Sequence, residues 1–306
     1  MARALPDQEA AFESAVALGG LRGNPESPVR RALRRFLRHR AGMISAVVLA
    51  VLVLTSIAAP LIQRYPRDVI DLDNRSAPPS VEHWLGTDRL GRDVWSRTLY
   101  AGRVSLSLGF FAASLTALIG TVLGSIAGFL RGIVEALIMR VVDILMSIPS
   151  ILVLLILVMF FGPGLEKLMI ILPAMSWMGT CRLVRAQVLQ IREMDYVMAA
   201  RGLGLSSWRI LFLHALPNAF APVLVSVTMG VGGVILSEAG LSFLGLGIMP
   251  PVPSWGNMLN QATNIEVLQG MTWMWLPSAF LVTLVTLCVN FIGDGLRDAL
   301  DPRQII

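Results

Sequence analysis

Six apolar runs, each near or above the length that crosses a bilayer, alternate with polar and turn-rich stretches along this 306-residue chain. The first, Met43 to Ile62, offers about 20 residues, enough for a hydrocarbon layer of ~30 Å at ~1.5 Å of helix per residue. The others are Val104 to Leu130, Ala136 to Phe161, Leu168 to Val188, Ala219 to Ile248 and Met271 to Ile292. The pattern predicts an all-α polytopic membrane protein with six transmembrane helices. An Arg-rich segment, 1–42, precedes a membrane domain, 43–293, and a tail, 294–306, follows it. Three longer connections interrupt the domain, at 63–103, 189–217 and 249–270. The first run is too long and starts too late for a cleaved signal sequence.

Polar residues within the runs are few. Gly109, Gly120, Gly124 and Gly128 allow close helix contact in the second span. Arg140 and Asp143 stand one turn apart in the third, which carries Pro149 farther along. Such a pair marks a pathway at depth but satisfies itself or snorkels near a helix end, and the position favours the structural role. Glu238 is the one ionisable residue of the glycine-rich fifth span. With Ser237 and Met229 it forms the candidate lining of a path, because a charge facing lipid is costly. A buried, hydrogen-bonded glutamate packing against a partner chain is the equal alternative.

Composition agrees with a membrane protein: 55% of residues are hydrophobic and 15% charged, with a mean hydropathy of +0.69. The net charge of +5 comes from arginines beside the spans and points to anionic lipid rather than nucleic acid. Arg22, Arg30, Arg31, Arg34, Arg35, Arg38 and Arg40 precede the first span, and Arg192, Arg201 and Arg209 fall in the 189–217 connection. Residues 249–270 hold no lysine or arginine, only Glu266. The positive-inside rule therefore predicts cytoplasmic N- and C-termini, a cytoplasmic 189–217 connection, and outer loops at 63–103 and 249–270. Cys181 and Cys288 lie inside apolar runs and read as small buried residues, and His39, His83 and His214 are too scattered for a local metal cluster.

The connection from Glu193 to Asn218 reads EMDYVMAARGLGLSSWRILFLHALPN. Asp195 is the expected N-cap of a short helix through Arg201, and Gly202 or Gly204 can end it in the left-handed conformation. Ala199 and Ala200 leave a low-relief surface for close packing of another protein. Ser206 can cap a second helix, and Pro217 suits the first turn of the span that follows. The stretch resembles the EAA loop of ABC importer permeases, whose pattern is Glu-Ala-Ala, three residues, Gly, nine residues, Ile, one residue, Leu-Pro. Met198, Ala199, Ala200, Gly204, His214, Leu216 and Pro217 stand at those places, so Met198 replaces the Glu and His214 the Ile. The resemblance implies a type I ABC importer permease fold and an ATPase-coupling surface on these residues together with Glu193, Asp195, Tyr196, Arg201 and Gly202. Glu193 or Asp195 could supply the acidic contact in place of the missing Glu.

Three further segments resemble the C-type permease subunits of dipeptide, oligopeptide and nickel importers. One runs from His83-Trp84-Leu85-Gly86-Thr87-Asp88 through Gly91-Arg92-Asp93 and Arg97 to Leu106. Helical spacing makes Asp93 and Arg97 an i,i+4 pair there, in a segment that either caps the outer face or meets substrate. The second spans Leu241 to Gly247 and Pro253 to Gly256, and the third is Gly293-Asp294-Gly295-Leu296-Arg297-Asp298-Ala299-Leu300-Asp301-Pro302. The likeness covers about residues 29–303.

A nucleotide-holding P-loop needs Gly-Lys before Ser or Thr, and the sole lysine, Lys167, follows Glu166 and precedes Leu168. The chain is therefore expected to be non-catalytic and to hold no cofactor, with ATP and Mg bound by partner subunits. The resemblance implies a homologous second permease, two ATPase subunits and an extracytoplasmic substrate-binding protein in a bacterial inner membrane. The expected function is half of a peptide translocation path, working by alternating access; nickel or glutathione are alternative cargoes. An ion-coupled secondary transporter should carry several mid-membrane charges and a repeat, and only Glu238 qualifies. Intramembrane hydrolysis lacks its residues: no two histidines stand four apart, and Gly240, Ser242 and Gly245 miss G-x-S-x-G by one position.

Overall fold

The computed structural model describes residues 28–211 and 216–300. Among these the regular structure is helical, with one isolated bridge between Thr87 and Asp93. In chain order the helices are α1 Pro28–Arg38, α2 Arg40–Ile57, α3 Ala59–Ile62, α4 Val94–Leu130, α5 Gly132–Met146, α6 Ser150–Phe161 and α7 Leu165–Arg192. They continue with α8 Asp195–Gly202, α9 Ser207–Ile210, α10 Leu216–Phe243, α11 Trp255–Leu259, α12 Ile265–Gly270 and α13 Leu276–Leu300. Residues 63–93 and 244–275 gather at one end of the bundle, joined by Trp273 Nε1 donating to the Thr87 carbonyl at 3.2 Å and by Arg89 facing Glu266 at 3.4 Å. We call this the cap end and the opposite one the α8 end.

Five helices, α2, α4, α7, α10 and α13, are each long and apolar enough to cross a membrane. The third expected span is not one helix: α5 and α6 meet at 86°, and their 15 and 12 residues fall short of a crossing singly. Pro149 explains the break. It has no N–H to continue the ladder, and its ring drives Ile148 out of the helical region. The chain restarts beyond it, with the Pro149 carbonyl accepting Leu152 N at 3.0 Å. Other boundaries also move. α4 begins at Val94, not Val104, because Asp93 caps it by accepting from Ser96 N at 2.8 Å. α10 stops at Phe243, not Ile248, where Gly245 turns left-handed (φ +78°) and Leu246 N closes back on the Leu241 carbonyl at 2.8 Å. α13 starts at Leu276 rather than Met271 and continues to Leu300. The helix α1 was not expected; Phe36 packs beside Gly295 of α13, while Arg30, Arg31, Arg34 and Arg38 are exposed.

α4 is the hub, and its most extensive pairing is with α7. The reason is in its glycines. A Cβ on Gly120 would stand 2.6 Å from Thr180 Cβ, and one on Gly124 2.5 Å from the Cys181 carbonyl, so the two backbones touch where only glycine fits. On another face Gly109 admits Ile235 of α10 as closely, at 2.8 Å. Trp255 of α11 is buried among α4 and its neighbours, its indole donating to the Thr98 carbonyl at 3.2 Å and its backbone N–H to Ser105 Oγ at 3.1 Å.

Candidate functional site

α8 and its flanks carry the motif residues. The Met194 carbonyl accepts from Val197 N at 2.9 Å and Met198 N at 3.1 Å, so Met194, not Asp195, is the cap. Asp195 becomes the first helical residue, where its charge meets the positive helix end. Gly204 ends the element: it is left-handed (φ +81°), and Leu205 N bonds the Ala200 carbonyl at 3.1 Å in the six-to-one closure of a Schellman turn. Gly202 stays helical. The Ser206 carbonyl accepts Ile210 N at 3.1 Å, placing Ser206 before α9 as expected.

The two faces of α8 differ. Val197 is fully buried and, with Ala200 and Leu205, packs against Phe129 of α4 and Val184, Val188 and Ile191 of α7. Tyr196, Met198, Ala199, Gly202 and Leu203 are exposed, Leu203 by 82%. Two polar ties hold the base: Arg192 Nη1 donates to the Phe129 carbonyl at 2.6 Å, and Arg131 Nη1 lies 3.4 Å from Glu193 Oε1. Glu193 is thus engaged with the α4–α5 corner, and Asp195 is the exposed acid beside the outward face. Of the remaining motif positions, His214 and the Arg201 side chain lie outside the described residues. Leu216 and Pro217 begin α10 and line an apolar cavity of about 380 Å³ with Thr121, Phe220 and Val223.

At the cap end the expected Asp93–Arg97 side-chain pair does not form. Asp93 accepts from Ser96 and faces His83 Nδ1 at 2.8 Å, which uses both of its oxygens at the helix start. Arg97 turns instead to Asp68 at 3.2 Å and Asp88 at 3.8 Å. Asp88 also holds Arg92 at 2.7 Å and accepts Leu90 N. These charges satisfy one another, which makes the segment a self-bonded cap. Asp71, half-buried nearby, is held below the usual carboxylate range by hydrogen bonds from Asn74 and the Asp73 N–H.

The three residues proposed for the path separate. Glu238 is completely buried, accepting from Ser242 Oγ at 2.7 Å and Ser254 Oγ at 2.8 Å. Ser254 in turn caps α11, and a Cβ on Gly256 would lie 2.7 Å from Glu238 Oε1. Glu238 therefore ties α10 to the cap and faces no opening. Met229 packs toward Gly293 of α13. Ser237 does line a cavity, one of about 320 Å³ between α4, α7 and α10, whose other polar members are Thr116, Ser176, Thr180 and Ser226. Sequence reasoning missed those four, since single hydroxyls in apolar helices are common and only packing brings three helices' hydroxyls together. The expected Arg140–Asp143 pairing is replaced as well: Asp143 pairs with Arg182 and Glu135 with Arg185, both joining α5 to α7.

The model of the binding-protein-dependent transport system inner membrane component matches residues 120–306, and that of the N-terminal TM domain of oligopeptide transport permease C matches residues 27–79. A putative peptide permease protein of Brucella suis biovar 1 is 42% identical over 276 residues, 90% of this chain and 91% of the relative. The dipeptide transport system permease protein DppC of Alkalihalophilus pseudofirmus is 40% identical over 278 residues, 91% of each chain. A solved structure of the MetNI methionine ABC transporter, inward facing, aligns over 68% of this chain and 94% of that one with a TM-score of 0.48 and 18% identity. Since the first model takes in more than half of the chain and the relatives run along nine-tenths of it, the chain belongs to the inner membrane components of binding-protein-dependent transport systems, the multi-pass permeases of ABC importers.

Proposed function

We propose that this chain is one of two homologous permeases in a peptide importer of a bacterial inner membrane, with both termini in the cytoplasm, and that α8 is where separate ATPase subunits move it. The two-faced packing of α8 carries the proposal. Its exposed Tyr196, Met198, Ala199 and Leu203 form a contact surface, while Val197, Ala200 and Leu205 lock it to the ends of α4 and α7. A push on α8 therefore moves the two helices that share the most extensive contact in the bundle. ATP with Mg, bound between the ATPase subunits, draws them together; the spans of both permeases then reorient around a central path, and hydrolysis resets them. A substrate-binding protein delivers cargo at the cap end. The peptide and dipeptide names of the relatives support di- or oligopeptides as that cargo.

Purification from the native membrane in mild detergent tests this. A second permease and ATPase subunits should accompany the chain, and dipeptide uptake by vesicles should need ATP. Ala199→Arg, on the exposed face, should strip the ATPase subunits while leaving the chain's thermal unfolding in place. A chain that purifies alone and takes up dipeptide on an ion gradient overturns the proposal.

A further inference from the structure

α1 has three unlike faces. α2 leads from it toward the cap, so α1 sits at the α8 end. Its inner face is packed: a Cβ on Gly295 of α13 would stand 3.1 Å from the Phe36 ring and 2.8 Å from His39 Nδ1. His39 Nδ1 also accepts Gly42 N at 3.0 Å, which pins the single residue between α1 and α2. The second face is basic. Arg30, Arg34 and Arg38 are exposed at every fourth position, along about 12 Å of helix at about 1.5 Å per residue. Arg31 is exposed behind them, and residues 28–40 contain no acid. The third face is apolar: Leu33 and Leu37, one turn apart, are 56% and 54% exposed. Helical spacing sets them between Phe36 and the arginine row.

Attachment and charge together say what covers Leu33 and Leu37. α2 is long and apolar enough to cross a membrane and turns Ile44, Val47, Val51, Leu54 and Ile57 outward, as lipid contact requires. Arg40 opens that helix, so α1 is fixed at the mouth of a span, at headgroup level. An exposed apolar edge bordered by arginines fits that level: the leucines reach the acyl boundary while the guanidinium groups stay among the phosphates. Arginine's planar fork pairs two phosphate oxygens at once, and an anionic headgroup adds net charge that a zwitterionic one lacks. A partner protein would have to bring acids and an apolar groove to the same depth, and an anionic bilayer surface offers both there.

We infer that α1 is an interfacial anchor that binds anionic phospholipid, with Leu33 and Leu37 in the acyl boundary and Arg30, Arg34 and Arg38 on headgroup phosphates. The inference needs only the membrane bundle and is independent of the cargo and of the ATPase subunits. It also gives the anchor something to hold. Phe36 and His39 rest on α13, and α13 packs along α2, so lipid bound at α1 steadies the end of that helix pair.

The test uses the full chain, with the subunits that copurify, in phosphatidylcholine nanodiscs. A bimane fluorophore is attached through Leu33→Cys or Leu37→Cys and, as a control on the lipid face of α2, through Val51→Cys. The native Cys181 and Cys288 are buried, and the parent chain sets the background. Phosphatidylglycerol or phosphatidylcholine, brominated near the headgroup end of the acyl chains, is titrated in as the quencher. At Leu33 and Leu37 the phosphatidylglycerol should half-quench at a mole fraction about fivefold lower or more, the effect of even one arginine at an anionic surface. At Val51 the two lipids should quench alike. Replacing all three arginines, by Arg30→Gln, Arg34→Gln and Arg38→Gln, should bring the two fractions together. Labels at Leu33 and Leu37 that iodide quenches from water, or that neither quencher reaches because protein covers them, overturn the anchor. Equal quenching by both lipids in the parent overturns the anionic preference, and a preference that survives the triple replacement overturns the arginine assignment. Two label positions on the unaltered arginine face keep the result independent of whether the triple variant assembles.

Discussion

Glu238 accepts two serine hydroxyls in a fully buried site, so Glu238→Ala leaves Ser242 and Ser254 without an acceptor. Each orphaned group costs about 1–3 kcal/mol, and the loss should appear as a lower unfolding temperature of the purified chain. A variant that unfolds normally but transports slowly would instead return Glu238 to the path. Gly204 makes a second prediction at this scale. Its left-handed backbone (φ +81°) means Gly204→Ala should cost about 1–2 kcal/mol and loosen the end of α8. Gly202→Ala, helical and with open space at Cβ, should be neutral or mildly stabilising. Comparing ATP hydrolysis and thermal unfolding of the two variants separates them. The spacing Ala199, Ala200, Gly204 and Leu216-Pro217 made these residues legible in the sequence. The rank of Gly204 over Gly202 was not, since both glycines fit the local pattern; nor was the cap at Met194, which side-chain preference would not choose over Asp195, and the start of the helix depends on where Val197 finds the α4–α7 surface.

α4 and α7 meet through glycines, and Gly124→Leu should therefore separate them. Overpacking of this kind costs about 1–3 kcal/mol or more, so membrane yield and unfolding temperature should both fall. Gly240→Ala, where the new Cβ meets nothing, should leave both unchanged. At this scale the apolar runs announced five of the spans well and the third poorly. Composition alone read Ala136 to Phe161 as one crossing, yet Pro149 turns it by 86°. The bend has a consequence for charge. With α5 laid against α7, Glu135 and Asp143 reach Arg185 and Arg182, partners that no local spacing could suggest.

The whole molecule is a bundle with an apolar exterior on α2 and α6, a self-bonded cap and a two-faced short helix at the opposite end. A charge on the lipid face should disturb insertion: Ile156→Arg should lower the membrane-inserted yield, since arginine at mid-membrane costs about 2.5–3.5 kcal/mol.

Helical class, five of the spans and the place of the short helix after α7 were written in the linear order, because hydropathy and motif spacing are local quantities. Which face of a helix is buried is not local. Glu238 looked like a path residue because it was the lone charge in its span, and packing turned it inward onto Ser242 and Ser254. Thr116, Ser176, Thr180 and Ser226 looked unremarkable one by one, and joined Ser237 in a groove only when α4, α7 and α10 were brought side by side.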